Sequence, residues 1–360
     1  MRDLRQNEII LLSLVSNALF DSERIIPDNV KWDEIIKESA EQAILPIAFS
    51  VSKKSYLSKD IEKDIQNQLF AYIANNMKVC YGHEYVDDLF RKKDIRYVVL
   101  KGCASANYYQ NPIYRTMGDV DFLVHPSDIE KAKCVLIEDG FISWEEEHLC
   151  HIVFKKDDMH FEMHLSPSGM PDGEVGELVN EYINDIFDTA VSVVTKNGGY
   201  TIPDDFHHGL ILLLHTVHHL TGEGIGLRHL CDWAVFVNSF SDERFREMFE
   251  DKLTAIGLWR AAQLFTQLSI RYLGMPEKNW AMENVCNDLL QDMICDIFEG
   301  GNFGQKEEQR SNQAYLISSR GKHGVGNTSM IKQLFISVSE AVKVHFPLCQ
   351  KNKFDYSGAL

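Results

Sequence analysis

Asp119 and Asp121 stand one residue apart in the otherwise apolar stretch GDVDFLV, residues 118–124. On a strand, side chains alternate, so both carboxylates project from one face while Val120 and Phe122 project from the other. Two carboxylates held a few ångströms apart repel, and burying them without a counter-charge costs several kcal/mol. A divalent cation resolves that conflict, and hard oxygen donors suit Mg²⁺ or Mn²⁺. A bare D-x-D is most often a solvated edge strand, so the pattern needs support from elsewhere in the chain.

Support comes from MHFEMHL, residues 159–165, where alternation puts His160, Glu162 and His164 on one face. If this strand lies beside the first, Glu162 completes a carboxylate triad with Asp119 and Asp121. Three acids can hold two metal ions about 3.5–4 Å apart, one at an acceptor hydroxyl and one at a phosphate chain. A second support is the strand IRYVVL, residues 95–100, which ends in Lys101-Gly102 and runs into the short helical stretch CASANYY. A glycine turn feeding a helix start offers backbone N–H groups to a phosphate, and Lys101 adds a cation at the same rim. Arg115, four residues before Asp119, is expected to pair with phosphate oxygens.

A third concentration of polar residues lies in LLLHTVHHLTGEGIGLRHLCDWAVF, residues 212–236. His215 and His219 are one helical turn apart, a spacing that zinc could use, with Glu223 as a further donor if Gly222 does not end the helix first. Arg228 and Asp232 share the same four-residue spacing and predict a helix-surface ion pair. The alternative is that these groups line a cleft between two parts of the fold, where His215 and Arg228, together with His164, would grip substrate.

The elements that must position these groups follow from periodicity. Residues 1–93 read as helical, with helices over 6–20, 31–52 and 59–92; Ile61, Ile65, Leu69, Ile73 and Met77 repeat at every fourth position. Strand-like runs then occur at 95–100, 119–124, 140–146, 151–156 and 159–165, with a helix over 127–139 between the second and third. Ser127 and Glu130 predict a capping box for that helix, Gly140 its end, and KKDDM a hairpin turn. From Asp204 helical spacing returns over 205–220, 227–240, 242–272 and 282–299; residues 299–329 read as a polar loop and 329–345 as a last amphipathic helix. The expectation is an α+β protein: a helical region 1–93, a small mixed-sheet domain 94–203 and a helical domain 204–360.

Composition narrows the class. The net charge of −17 repels a phosphate backbone, which disfavours nucleic acid as partner but not a single nucleotide screened by bound Mg²⁺. Eight scattered cysteines without a CxxC pair read as reduced thiols. The opening MRDLRQNEIILLSLVSNALF reads as an amphipathic helix rather than a leader, and no membrane span is evident, so a cytoplasmic location without membrane association is expected.

The order KG (101–102), GDVDFLV (118–124) and FEMHL (161–165) resembles the polymerase-β-like nucleotidyltransferase superfamily, and more closely its bacterial branch of uncharacterised nucleotidyltransferases. Residues 212–236 look like the helical half of that branch. The resemblance implies a small mixed-sheet nucleotidyltransferase domain in which Asp119, Asp121 and Glu162 are catalytic and hold Mg²⁺ or Mn²⁺, two ions in all. It also implies a triphosphate at Lys101 and Gly102, and Arg115 and Gly118 are expected to bind the nucleotide with them. Cys103 departs from the Ser or Gly that many of those proteins carry after the turn. The expected reaction moves a nucleoside monophosphate from an NTP, with ATP as the first guess, to an acceptor. A small molecule, protein or peptide acceptor is favoured over nucleic acid. Two readings stand against it: a non-catalytic nucleotide-sensing or protein-interaction module, and a zinc hydrolase built on the histidine-rich helix.

Overall fold

The computed structural model describes residues 2–50, 57–144, 151–171, 173–221, 224–281 and 287–306. Gly222 and Glu223, most of the 299–329 loop and the 329–345 helix lie outside the described residues. No helix among the described residues is long and apolar enough to cross a membrane.

Four helices come first: α1 (Gln6–Phe20), α2 (Trp32–Glu41), α3 (Leu45–Phe49) and α4 (Lys59–Lys92). The helix expected over 31–52 is broken in two because Ala43 turns to a left-handed φ of 54°. Along α4 the inward positions are Ile65, Asn76, Val79, His83, Val86 and Phe90, while Met77 is 62% exposed. The every-fourth series runs off the buried face because four residues overshoot a turn of about 3.6, and the error accumulates.

The sheet unit follows as β1 (Tyr97–Val99), α5 (Gly102–Ala106), β2 (Val120–Val124), α6 (Ile129–Glu138), β3 (Ile142–Trp144), β4 (His151–Lys156) and β5 (Met159–His164). Its strand order is β1-β2-β5-β4-β3. The sheet is mixed: β2 and β5 pair in parallel, with Asp121 opposite Glu162, and the other neighbours are antiparallel. Phe122, Phe154 and Phe161 are fully buried in the core that also takes Val86 and Phe90 of α4. Each such ring stabilises the fold by about 1.5–3 kcal/mol. Gly82 of α4 allows the closest approach, since a Cβ there would meet Val120 Cγ2 at 2.6 Å. On the other face Val98, Leu100 and Leu123 pack with Ile186 and Ile211.

The capping box expected for α6 does not form. Pro126 starts a 3-10 turn at Pro126–Asp128, Asp128 becomes the N-cap without a side-chain cap bond, and Glu130 pairs with Lys133 instead. The helix does end at Gly140, which adopts φ 86°.

The chain continues through α7 (Gly173–Tyr182) and a two-stranded sheet of β6 (Val191–Val194) and β7 (Gly199–Ile202). Neither was expected from sequence: α7 spans only ten residues, and β6 is mostly exposed with little apolar alternation. Then come α8 (Asp205–Thr221), α9 (Leu227–Asn238), α10 (Asp242–Ala255), α11 (Trp259–Leu268) and α12 (Asn287–Gly300). The long helix expected over 242–272 is split at Gly257, φ 75°, and α11 runs on as a π turn through Ser269–Leu273. One continuous core joins α1–α3 to α8–α12, so the first and last helical regions share an interior.

Candidate functional site

Asp121 owes its position to β2. Val120, Phe122 and Val124 face the core against α4, which turns Asp121 and Leu123 to the opposite face. The parallel register sets Glu162 beside Asp121, and two residues on, His164 lies on the same face. Ligand atoms of Asp121, Glu162 and His164 all lie within 4.8 Å of one another. His164 Nε2 is 2.9 Å from Asp121 Oδ1 and 3.4 Å from Glu162 Oε2. His164, expected in a substrate cleft, is instead 1% exposed and belongs to this cluster; its Nδ1 is buried without a hydrogen-bond partner.

Lys101 supplies the positive charge of the site. Its Nζ donates to Asp121 Oδ1 at 3.1 Å, and its backbone sits at φ 48°, ψ −123° directly before α5. Such a conformation in a residue other than glycine is strained and tends to mark functional turns. Burial opposes the charge on Asp121, yet Lys101 and the His164 hydrogen bond hold its carboxyl well below the usual range. Asp119 stands one residue ahead of β2 on the exposed lip. Desolvation and the charges of Glu162 and Asp121 push its carboxyl up to about 6. A cleft of about 280 Å³ opens beside Asp119, with Gly118, His160, Asn75 and Lys78 among its walls.

The donor set fits a hard divalent cation. Asp121 and Glu162 bring carboxylate oxygens together with one imidazole nitrogen. Asp121, Glu162 and His164 would hold it, with Asp119 at the lip.

Arg115 is not where sequence put it. Rather than facing phosphates, its guanidinium is 6% exposed and binds Asp232 of α9, Nη2–Oδ2 at 2.6 Å and Nε–Oδ1 at 3.1 Å. Tyr109 Oη donates to the same Oδ1 at 2.7 Å. Burial disfavours both charges, but each holds the other: Asp232 raises Arg115, and Arg115 keeps Asp232 low. Asp232 is therefore occupied, and the Arg228–Asp232 surface pair does not form. Arg228 has no carboxylate partner among the described residues; its Nε is buried without a hydrogen bond, and its guanidinium lies 5.2 Å from the Phe303 ring. Burial and the nearby Arg115 lower it to about 10.

The histidines of α8 gather with His229 of α9. Ring centroids of His215 and His219 are 4.4 Å apart, and His229 lies 5.9 Å from His215 and 5.8 Å from His219. Among the described residues these rings do not bring three ligand atoms together, so the histidine-helix zinc centre is not assembled there. Tyr108 stacks on His208 with ring centroids 4.9 Å apart.

Sequence reading missed the clamp that holds the loop before Asp119. Asn76 Nδ2 donates to Ile113 O and Arg115 O, its Oδ1 accepts from Met117 N at 2.9 Å, and Asn75 Nδ2 donates to Met117 O. The available signal was two adjacent asparagines inside an otherwise helical apolar repeat.

Comparison with known proteins places the chain in a family. The profile of the family described as "Uncharacterised nucleotidyltransferase" matches residues 28–274, about two thirds of the chain, and the chain belongs to that family. No curated protein sequence matches it. Among solved structures, an antigenic nucleotidyltransferase-like protein from Paracoccidioides brasiliensis is 11% identical, with a TM-score of 0.31, over 44% of this chain and 73% of that one.

Proposed function

We propose that this member of the uncharacterised nucleotidyltransferases is a metal-dependent enzyme that moves a nucleoside monophosphate from an NTP to an acceptor oxygen. The acceptor oxygen bonds to the α-phosphorus, the bond to the bridging oxygen breaks, and pyrophosphate leaves. The observation that carries this reading is the grouping of Asp121, Glu162 and His164 on the parallel strand pair, with Lys101 on the same carboxylate.

A bound Mg²⁺ or Mn²⁺, two ions in the fullest form, supplies charge that offsets the triphosphate and favours an ionised acceptor. The chain's own groups do the rest. Asp121 and Glu162, fixed by backbone pairing, bring negative charge to one point without side-chain searching. Lys101 provides a cation for phosphate oxygens at the turn into α5, and Gly102 leaves that turn open: a Cβ there would meet only Arg115 Nη1, at 3.9 Å. Gly118 and Asp119 edge the cleft through which substrate reaches the carboxylates. The acidic surface suits a small cationic molecule or a protein side chain as acceptor better than nucleic acid.

One observation favours a second reading. Lys101 and His164 together satisfy Asp121 from within the chain, as a nucleotide-sensing module without turnover would also require. Both readings are tested by thermal shift and pyrophosphate release with ATP, CTP, GTP and UTP, with and without Mg²⁺ or Mn²⁺, for wild type and D121N. Metal-dependent stabilisation by one NTP with pyrophosphate release, both lost in D121N, supports transfer. Stabilisation without release in the presence of candidate acceptors supports sensing. No response to any NTP overturns both.

A further inference from the structure

Near the carboxylates, α8 and α9 present side-chain nitrogens that have no hydrogen-bond partner among the described residues. Ile211 of α8 packs in the same small cluster as Leu123, and His215 lies one turn further along the same stripe. Leu123 and Asp121 share a face of β2, so this stripe runs over the face that carries the acids. His215 Nδ1 is buried without a partner. Lys101 and three histidines lie close enough to disfavour its protonated form.

Helix α9 also contributes, and it packs on α5, the helix that follows Lys101. Arg228 Nε and His229 Nε2 are both buried and unpartnered. His229 Nδ1 accepts from Gly226 N at 3.3 Å, which fixes the proton on Nε2 and makes that atom a donor. Phe303 packs on this group from outside, 5.0 Å from His229 and 5.2 Å from the Arg228 guanidinium. Asp232, one turn along α9 from Arg228, is taken by Arg115 and Tyr109.

The chain carries a net charge of −17, yet among the described residues Arg228 has no ion-pair partner and imidazole nitrogens are buried without hydrogen-bond partners. A metal ion does not suit a site walled by the Arg228 guanidinium. An anion offering many acceptor oxygens to donors from several directions does, and phosphate is that chemistry. Building on the nucleotidyl-transfer reading, we propose that Arg228, His215 and His229 form, with Lys101 at its edge, the subsite for the terminal phosphates of the NTP.

Binding of sodium tripolyphosphate in the absence of divalent cations, followed by titration calorimetry, tests the subsite apart from catalysis. Wild type binds tripolyphosphate; R228Q weakens it tenfold or more, R228K by less, and H215Q by a smaller factor than R228Q. Ligand-free melting of R228Q stays level with wild type or rises, because an unpaired, half-buried guanidinium is a cost to the fold. Equal affinity in wild type and R228Q overturns the subsite and leaves the transfer reading standing, as does wild type that binds an Mg²⁺–NTP but no tripolyphosphate. Wild type that binds neither overturns both. Should R228Q fail to fold, R228K and H215Q decide: unchanged affinity in both overturns the subsite, and weakening in both supports it.

Discussion

Arg115 and Asp232 form a bidentate ion pair, 2.6 Å and 3.1 Å, that joins the loop before the acidic strand to helix α9 across the interior. Breaking a buried pair from one side leaves an uncompensated charge, which costs about 3–5 kcal/mol. Urea unfolding of R115M and D232N is therefore expected to show losses of about that size. The double variant R115M/D232L recovers part of the loss, since neither charge remains. The sign with pH follows from Asp232, whose folded carboxyl is held low. Its contribution is present above the ordinary carboxylate range near 3.9 and is lost as pH falls through the folded value. Single losses under 1 kcal/mol would show that the pair is dispensable.

D121N removes the charge at the centre of the cluster while keeping its shape. Pyrophosphate release is expected to fall by roughly 10²–10³ or more, the scale seen when one charge-stabilising group is lost from a preorganised site. Metal-dependent stabilisation should vanish with it. Release at the wild-type rate would remove Asp121 from the chemistry.

Gly82 and Val120 can be tested as a pair. G82A places a Cβ 2.6 Å from Val120 Cγ2, and the stiff valine cannot swing away. Overpacking costs about 1–3 kcal/mol, against roughly 1 gained in helix propensity. G82A is expected to be less stable than wild type, and to lose activity because Val120 sits between Asp119 and Asp121. G82A/V120A should recover stability, and a double-mutant cycle with no coupling would refute the contact.

Buried histidines add to the acid limb of stability. Burial lowers His83 and His208 to about 4, and His83 has both ring nitrogens unpartnered. The unfolded chain takes up these protons near 6.5 and the folded chain only near 4, so stability falls as pH drops through that window. The loss is on the order of a few kcal/mol for each group by full acidification. H83F is expected to flatten part of the slope between pH 6.5 and 4, read by urea unfolding at several pH values. An unchanged slope would mean that His83 is not buried neutral.

Local pattern was enough for much of this molecule. Helix α1 runs over the expected residues 6–20, and α4 over 59–92. The β4–β5 hairpin turns at Asp157, φ 54°, inside KKDDM. Alternation put Asp121, Glu162 and His164 on matching faces, since a strand's period of two leaves little room for error. What alternation could not give is which strands are neighbours, and the His164–Asp121 hydrogen bond depends on parallel pairing across 43 positions. Arg115 was misread for the same reason: its partner lies 117 positions away. The helix breaks at Ala43 and Gly257 also escaped, because one left-handed residue ends a helix without disturbing the apolar count around it.

The parallel pairing of β2 and β5 also governs when the site can exist during synthesis. A parallel neighbour cannot be reached by a tight turn, and here the crossover carries α6, β3 and β4 before β5 arrives. A nascent chain that has released Asp121 but not Glu162 holds half a cation site, and docking α6 alone does not supply the other half. Such non-local closure is slow compared with helix formation. On the metal-dependent reading, cation capture would mark completion of the sheet: a ribosome-bound chain should acquire it in one step, once β5 has cleared the exit and paired.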